Sequence, residues 1–574
     1  MDQVKRKFTF NQLSNEVTKK LQNNFARTIT FIENLSNEIF YEIFDYLDGY
    51  EIYNTFSNLN HHFQQLLDSP SLILKIKLDN STYNESSMNN YQQYLLRNKH
   101  KIFSIEFELG FEKNNHLSWF TFDLSLSRLE SIYIGSNQSD ILISLLINLA
   151  DLPRLLSLTI RPLNILEYLN DIYRLIFALP VLKSFIFFLD RYVTISLPMA
   201  INQQLSTIEH LVTYQYCSVN ELFIILSYIP QIRCLKIGNN LDIDTNIQTI
   251  LPITLSNLVD ISITMDDAKF DEFELFIRKI HAKLKILRVT IQSEHIDFLN
   301  AHQWEQLIFK SLPQLEEFYF RYIESFAEEY KYPGVSDQFI TSFWIERQWT
   351  FEIKIDNESI DYIVRPYRKR WYEYTQDNIL NSSVEYAKST RLTIEYINDI
   401  DFDEDLQMGM TRILTVAQIY SLDIPVENVY VDVLIEIVRL LPELTTLKIH
   451  SLSLHKPIML NFIQLSMNYT SKVRKVYLLT MNEIEEFSIL LNLCPFMKYF
   501  KVDYTKQMDF KFLLQCILKK IKHDCNEYLR LLCFRVPTAD DEMIQKLNRM
   551  IDLEKLLWNY KIKRVAENLY IEWL

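Results

Sequence analysis

Eleven histidines and six cysteines are the side chains best suited to metal or nucleophilic chemistry in this chain, and their spacing favours neither. His61 and His62 are adjacent, so on a helix they diverge and make a poor ligand pair. His450 and His455 sit near the end of a predicted strand. No HExxH can be written and no Cys/His set has zinc spacing, so no metal is expected. Cys217, Cys234, Cys494, Cys516, Cys525 and Cys533 contain no CxxC and read as free thiols of a reducing compartment. Carboxylates cluster at Asp401-Phe-Asp-Glu-Asp405 and at Glu328-Glu329. A general acid–base pair needs a cleft and two contrasting environments, whereas an acidic run on a loop is usually solvated. With no GxSxG elbow either, no catalytic residue is expected.

Phosphate chemistry fares no better. The chain has six glycines, Gly49, Gly110, Gly135, Gly238, Gly334 and Gly409, all isolated from one another. Phosphate-cradling loops need glycine for positive φ or close backbone approach, so no nucleotide cofactor is expected. The segment Arg365-Pro-Tyr-Arg368-Lys369-Arg370-Trp371 mixes cations with aromatic rings, a combination that can stack on bases or clamp a phosphorylated peptide. Against a formal net charge of −14, it reads instead as a basic strand end offsetting local carboxylates. Nucleic acid is therefore not an expected partner.

The 574 residues are 48 % apolar, too apolar for a disordered chain and too many for one compact core. No apolar signal region opens the sequence, and Lys5-Arg6-Lys7 is too short to be read as a nuclear signal. Stretches such as Ile141 to Leu149 fall well short of a membrane span of about 20 residues. The expectation is a cytoplasmic or nuclear protein that makes no membrane contact, with Asn84-Glu85-Ser86 a chance glycosylation match.

One phrase recurs along most of the chain: a helix-like run ending in an apolar residue and proline, then L-x-x-L-x-L. It appears as LPRLLSLTI (152–160), LPVLKSFIF (179–187), IPQIRCLKI (229–237), LPQLEEFYF (312–320), LPELTTLKI (441–449) and CPFMKYFKV (494–502). Copies without proline include SRLESIYI (127–134), SNLVDISI (256–263) and SKVRKVYL (471–478). Through the first half the first apolar positions recur roughly every 24–27 residues, a period that resembles leucine-rich repeats. The asparagine that usually follows the strand is mostly replaced, with Asn239 the best candidate. The resemblance implies strands sharing one core with returning helices, an irregular leucine-rich-repeat-like solenoid. The rhythm breaks at 338–377. There Trp349, Phe351, Ile353 and Ile355 alternate, as do Ile360, Tyr362 and Val364, around the turn residues Asp356-Asn357-Glu358-Ser359, predicting a β-hairpin insertion.

Before the repeats, Ser36 can cap a helix with Glu38 in its first turn. Ile39, Ile43 and Leu47 recur at i, i+4 and i+8, Phe40 and Phe44 widen the stripe, and Gly49 suits a left-handed C-cap. Ile52, Phe56 and Leu59, then Phe63, Leu66 and Leu67, give two further short helices. Leu35-Ser36-x-Glu38-Ile39, Ile43-Phe44-x-x-Leu47, Ile52, Phe56 and Phe63 resemble an F-box, with Leu-Ser where that family often carries Leu-Pro. The resemblance implies a helical trio that docks on the Skp-type adaptor of a cullin-RING ubiquitin ligase. It assigns the adaptor-facing surface to Leu35, Ser36, Glu38, Ile39, Ile43, Phe44 and Leu47. An amphipathic helical cap on the solenoid is the competing reading.

The expected class is α/β. The expected order is an N-terminal extension (1–30), an F-box-like helical module (31–78), a linker (79–99), a first arc of repeats (100–337), the hairpin (338–377) and a second arc (378–574). Strand residues that alternate with the core would line a concave face. Those of interface type are Tyr133, Arg161, Lys236, Tyr319, Arg321, Lys448, His450, Tyr477, Lys501 and Arg535. The expected function is non-enzymatic: an adaptor that holds a target protein near an SCF-type ligase, or else a scaffold without a ligase.

Overall fold

The computed structural model describes residues 32, 35–78, 85–109, 120–136, 139–162, 167–189, 192–200, 205–242, 251–293, 295–325, 338–367, 390–397, 404–454, 471–505 and 509–573. The chain divides into two compact units, Met1–Leu182 and Lys183–Leu574.

The first unit opens with three short helices, α1 (Asn37–Phe44), α2 (Gly49–Phe56) and α3 (His61–Asp68). Polar caps set their ends. Asp48 accepts from Glu51 N at 2.8 Å while Glu51 accepts from Asp48 N at 3.0 Å, and Asn60 accepts from Phe63 N at 3.0 Å. Strand β1 (Leu74–Leu78) follows, then α4 (Glu85–Arg97), β2 (Ile102–Leu109), β3 (Ser131–Ser136), α5 (Ser139–Leu149), β4 (Ser157–Pro162) and α6 (Leu169–Phe177). The four strands pair in parallel in chain order. The expected linker at 79–99 is thus corrected, because 85–97 is helical and buries Tyr91 and Leu95. Gly49 is corrected too. It begins α2 instead of ending α1, and no described glycine has positive φ. A Cβ there would lie 2.7 Å from Tyr91 Oη and 3.3 Å from Lys75 O, so close approach of α2 to β1 and α4 is what requires glycine.

The second unit continues the alternation. Its first half contains β5 (Ser184–Phe187), β6 (His210–Thr213), α7 (Val219–Tyr228), β7 (Cys234–Asp242), β8 (Asp260–Asp266), α8 (Phe270–Lys279), β9 (Ile286–Gln292), α9 (Ala301–Ser311) and β10 (Glu317–Ser325). Helix α10 (Ser342–Glu346), β11 (Trp349–Ile355) and β12 (Ser359–Pro366) follow. Next come β13 (Arg391–Ile394), α11 (Glu404–Val416), β14 (Ser421–Ile424), α12 (Val431–Leu440), β15 (Thr446–Ile449) and β16 (Lys475–Met481). The chain ends with α13 (Ile484–Leu493), β17 (Tyr499–Thr505), α14 (Phe510–His523), β18 (Leu531–Arg535), α15 (Asp541–Glu554), β19 (Tyr560–Val565) and β20 (Asn568–Trp573).

Most of the recurrent phrases become a turn and a strand with the first apolar residue buried, as at Leu129, Leu155, Ile232, Leu258, Leu315 and Met497. Proline takes the second position of the turn. Ile232 N donates to Ile229 O at 3.1 Å across Pro230, and Met497 N donates to Cys494 O at 3.0 Å across Pro495. The next two amides then share one carbonyl of the preceding repeat. Arg233 N and Cys234 N donate to Glu209 O at 2.7 and 3.1 Å, and Val259 N and Asp260 N to Arg233 O at 3.0 and 3.2 Å. The pattern returns late in the chain, where Lys498 N and Tyr499 N donate to Arg474 O at 2.8 and 3.1 Å.

The hairpin forms as expected, but it belongs to the main sheet. Strand β12 lies between β10 and β11, antiparallel to both, and β11 pairs in parallel with β13. Aromatic packing holds it there: Trp349 lies 5.6 Å from Phe318, and Phe339 4.7 Å from Phe351, between ring centroids. Below the rings, Arg412 of α11 reaches Glu324 of β10 at 3.2 Å, and Tyr362 Oη donates to the other Glu324 oxygen at 3.1 Å. Both charges are buried. Arg412→Ala should therefore cost about 3–5 kcal/mol in urea denaturation, because it strands the carboxylate. A loss below about 1 kcal/mol would show that the pair is not closed in solution.

At the third helical position of α13, Glu486 Oε1 accepts from Asn482 N at 3.1 Å and Glu483 N at 3.3 Å, while Oε2 has no partner among the described residues. Burial pushes this carboxyl up from 4.5 to about 7. The folded chain then holds the proton more tightly than the unfolded chain. That contribution to stability is full below pH 4.5 and is lost as pH rises through about 7. Glu486→Gln should remove a pH-dependent difference on the order of 2–3 kcal/mol, read from urea midpoints at pH 5 and pH 8. Identical slopes in the two proteins would refute the assignment.

Candidate functional site

Two surfaces carry the residues singled out by the sequence. On the first, Phe40, Phe44, Ile52, Phe56 and Phe63 form the centre of the helical trio. Ring centroids of Phe40 and Phe63 lie 5.1 Å apart, and those of Phe44 and Phe56 5.0 Å. Phe44 is therefore corrected: it packs inward and is not adaptor-facing, because the i+4 partner of Phe40 lies on the same buried stripe. Outside that stripe Ile39 is 40 % exposed, and Leu35, Ile43 and Leu47 are half-buried. Ser36 stands at the cap position, but its side chain makes no cap bond. Its bond to Glu38 instead holds that carboxyl below the usual value. Tyr46, which the apolar pattern did not single out, and Leu59, of the second apolar set, are 91 % and 58 % exposed beside the same helices.

The trio is fixed to the strands behind it. Lys101 is buried and donates from Nζ to Leu67 O at 2.9 Å, and burial pushes its ammonium down from the usual value. Tyr94 Oη donates to the same carbonyl at 3.3 Å, and Lys75 Nζ donates to Asp45 O at 2.7 Å. Lys99, also buried, pairs with Asp123 at 2.7 Å. Lys75 ties the C-terminal end of α1 and Lys101 and Tyr94 tie α3, while Ile39 of α1 stays exposed.

In each unit the second surface is the sheet face turned away from the helices. Tyr133 and Arg161 lie on it in the first unit, half-buried and exposed. In the second unit Lys236 lies over the Tyr214 ring at 5.7 Å, and Arg288 over Tyr319 at 5.1 Å. The expected basic anchors are mostly neutralised by nearby carboxylates. Arg321 grips one oxygen of Asp361 at 2.9 and 2.6 Å. Lys448 pairs with Asp423 at 2.8 Å, Lys501 with Asp503 at 2.8 Å, and Arg535 with Glu567 at 2.7 Å. His450 is half-buried, its Nε2 3.9 Å from Glu427. Asn239, expected to bond a turn, donates its amide to Tyr214 O. Arg365 pairs with Glu352, while Arg368 to Trp371 and His455 lie outside the described residues.

At the late end of this face Tyr499, Leu531, Cys533 and Tyr570 form a small buried cluster with Tyr477 against it. Tyr477, expected as a ligand contact, thus helps roof a second core. Burial pushes the Cys533 thiol up to about 11, and the Cys217 and Cys494 thiols up to about 12. Such thiols are protonated at neutral pH and are poor nucleophiles. Among the described residues no group of three His, Cys, Asp or Glu could hold a metal ion, and no helix is long and apolar enough to cross a membrane. A depression of about 430 Å³ near Thr254, Arg278, His281 and Lys283 has no carboxylate in its lining. No protein-family model matches the chain, and no curated protein matches its sequence.

A native-state titration with an aromatic disulfide reagent should therefore label the exposed Cys525 first. Cys217, Cys494 and Cys533 should react only in denaturant. A Cys525→Ser variant that keeps the fast phase would show that another thiol is open.

Proposed function

We propose that this chain is the substrate-recognition subunit of an SCF-type ubiquitin ligase. The observation that carries the reading is the apolar side of α1. Leu35, Ile39, Ile43 and Leu47 stay partly open while the rest of the trio closes on its own aromatic core. An uncovered apolar stripe on a rigidly held helix is suited to a foreign helix. In this reading a Skp-type adaptor covers that stripe, and a cullin-RING core binds through the adaptor. The strand–helix repeats of the second unit then hold a target protein through their open face, around Lys236 and Tyr319. The chain makes and breaks no bond. It raises the effective concentration of target lysines near the ubiquitin-loaded partner.

The ties of Lys101, Tyr94 and Lys75 to the trio favour a second reading, in which α1–α3 cap the array and the chain is a scaffold without a ligase. Charge placed on the open stripe separates the two. Ile39→Asp with Ile43→Asp should abolish co-purification of a Skp-type adaptor and cullin while leaving the far-ultraviolet circular dichroism unchanged. Phe44 is left intact in this variant because its loss would disturb the core. If the folded wild-type chain recovers neither adaptor nor cullin, the scaffold reading stands.

A further inference from the structure

We infer that the outer edge of β19 captures an acidic, extended segment of another protein by strand addition. Strand β19 pairs with β20 on one side, and among the described residues no strand pairs with its other side. The two-residue turn Ala566-Glu567 makes Val565 and Asn568 the closing pair of the hairpin. In a hairpin of this length the closing pair is hydrogen-bonded, and the bonded and non-bonded pairs alternate from there. The backbone N–H and C=O groups of Arg564, Ile562 and Tyr560 therefore point outward. Six residues without proline present a regular row of donors and acceptors.

The side chains on that edge specify the occupant. Lys561 and Lys563 are exposed on one face of the strand, and neither has an ion-pair partner among the described residues. Nearby cations do have partners: Lys519 with Glu554, Lys520 with Asp524, Lys546 with Glu542 and Arg535 with Glu567. From position 471 to the end, cations outnumber acids 18 to 14, within a chain whose formal net charge is −14. Trp558, 74 % exposed, and Leu553, 83 % exposed, precede the strand and offer apolar contact to an incoming chain. A second copy of this chain is a poor occupant, because edge-to-edge pairing would set Lys561, Lys563 and Arg564 against themselves. An added strand with carboxylates at alternate positions places them all opposite Lys561 and Lys563.

The inference stands apart from the ligase reading, since strand capture would serve a ligase or a scaffold alike. The probe is a fluorescein-labelled eight-residue peptide alternating Glu and Thr, titrated with the full chain by fluorescence anisotropy. Saturable binding is expected, weakened at least about tenfold by Lys561→Glu with Lys563→Glu. A Lys–Thr peptide and a Glu–Thr peptide methylated at alternate backbone nitrogens should not bind. Ile562→Pro removes an outward N–H and should also abolish binding, with circular dichroism checking its fold. The Ile39→Asp, Ile43→Asp chain should bind the peptide normally whatever its adaptor does. If the methylated peptide binds equally well, the contact is diffuse charge attraction; if no peptide binds, the lysines only block edge pairing. Either result overturns the inference.

Discussion

A strand of four to nine residues and a helix of about ten cannot bury their apolar faces alone; each pair must lean on the next. In this chain the contact is made at one carbonyl per repeat, which accepts two successive amides from the repeat that follows. Glu209, Arg233, Val259, Thr445 and Arg474 all serve in this way. The shared carbonyl fixes how far each strand slides on its neighbour, so the buried residues of L-x-x-L-x-L stay in line. Turns must then be tight and reproducible, yet the chain has six glycines to make them. Proline sets one turn of several repeats. Elsewhere Asn58, Asp267, Asn428 and Asn559 take positive φ, the residue types that adopt it at least cost, and bulkier Tyr168 and Lys555 do so too.

A sheet built this way needs its exposed edges managed. In the first unit α2 packs over β1, with Lys75 bound to Asp45 and Gly49 allowing the backbone close. In the second unit the last parallel strand, β18, is covered by an antiparallel hairpin. Both devices pass the problem outward: one leaves an apolar helix stripe, the other a charged strand edge. The two are chemically unlike, so each suits a different partner.

The period of the repeats was legible because burial on one face imposes it residue by residue, and Leu129, Ile232 and Met497 are all buried where the phrase placed them. The alternation of Trp349 to Ile355 likewise announced a strand. Alternation says which face a residue takes, but not which strand lies beside it, so the place of β12 between β10 and β11 was hidden. For the same reason the pairing of Arg321 with Asp361, 40 positions apart, had no sequence signal. In α1 and the turn after it, apolar residues at 39, 40, 43, 44 and 47 spread over an arc of about 140°, too wide for all of it to be buried. Which half turns inward depends on where Phe56 and Phe63 sit, and Phe44 was misplaced on that account. The helix at 85–97 was missed because its buried face consists of little more than Tyr91 and Leu95.

The cross-strand ion pairs constrain how the open face can bind anything. A ligand carboxylate aimed at Arg321 must compete with Asp361, which already holds two of its N–H groups. Displacing a buried carboxylate that accepts both bonds on one oxygen leaves one charge uncompensated, and that loss cancels much of the gain. Charge on this face therefore sets register and rejects wrong partners more than it supplies affinity. Affinity there has to come from rings such as Tyr319 and Tyr214, which can be covered without breaking a pair. The edge at β19 differs because Lys561 and Lys563 have no ion-pair partner among the described residues, although Glu572 stands opposite Lys561 in the hairpin. An acidic strand gains their attraction and the outward backbone bonds together, and no strand pairing or ion pair among the described residues has to be broken first.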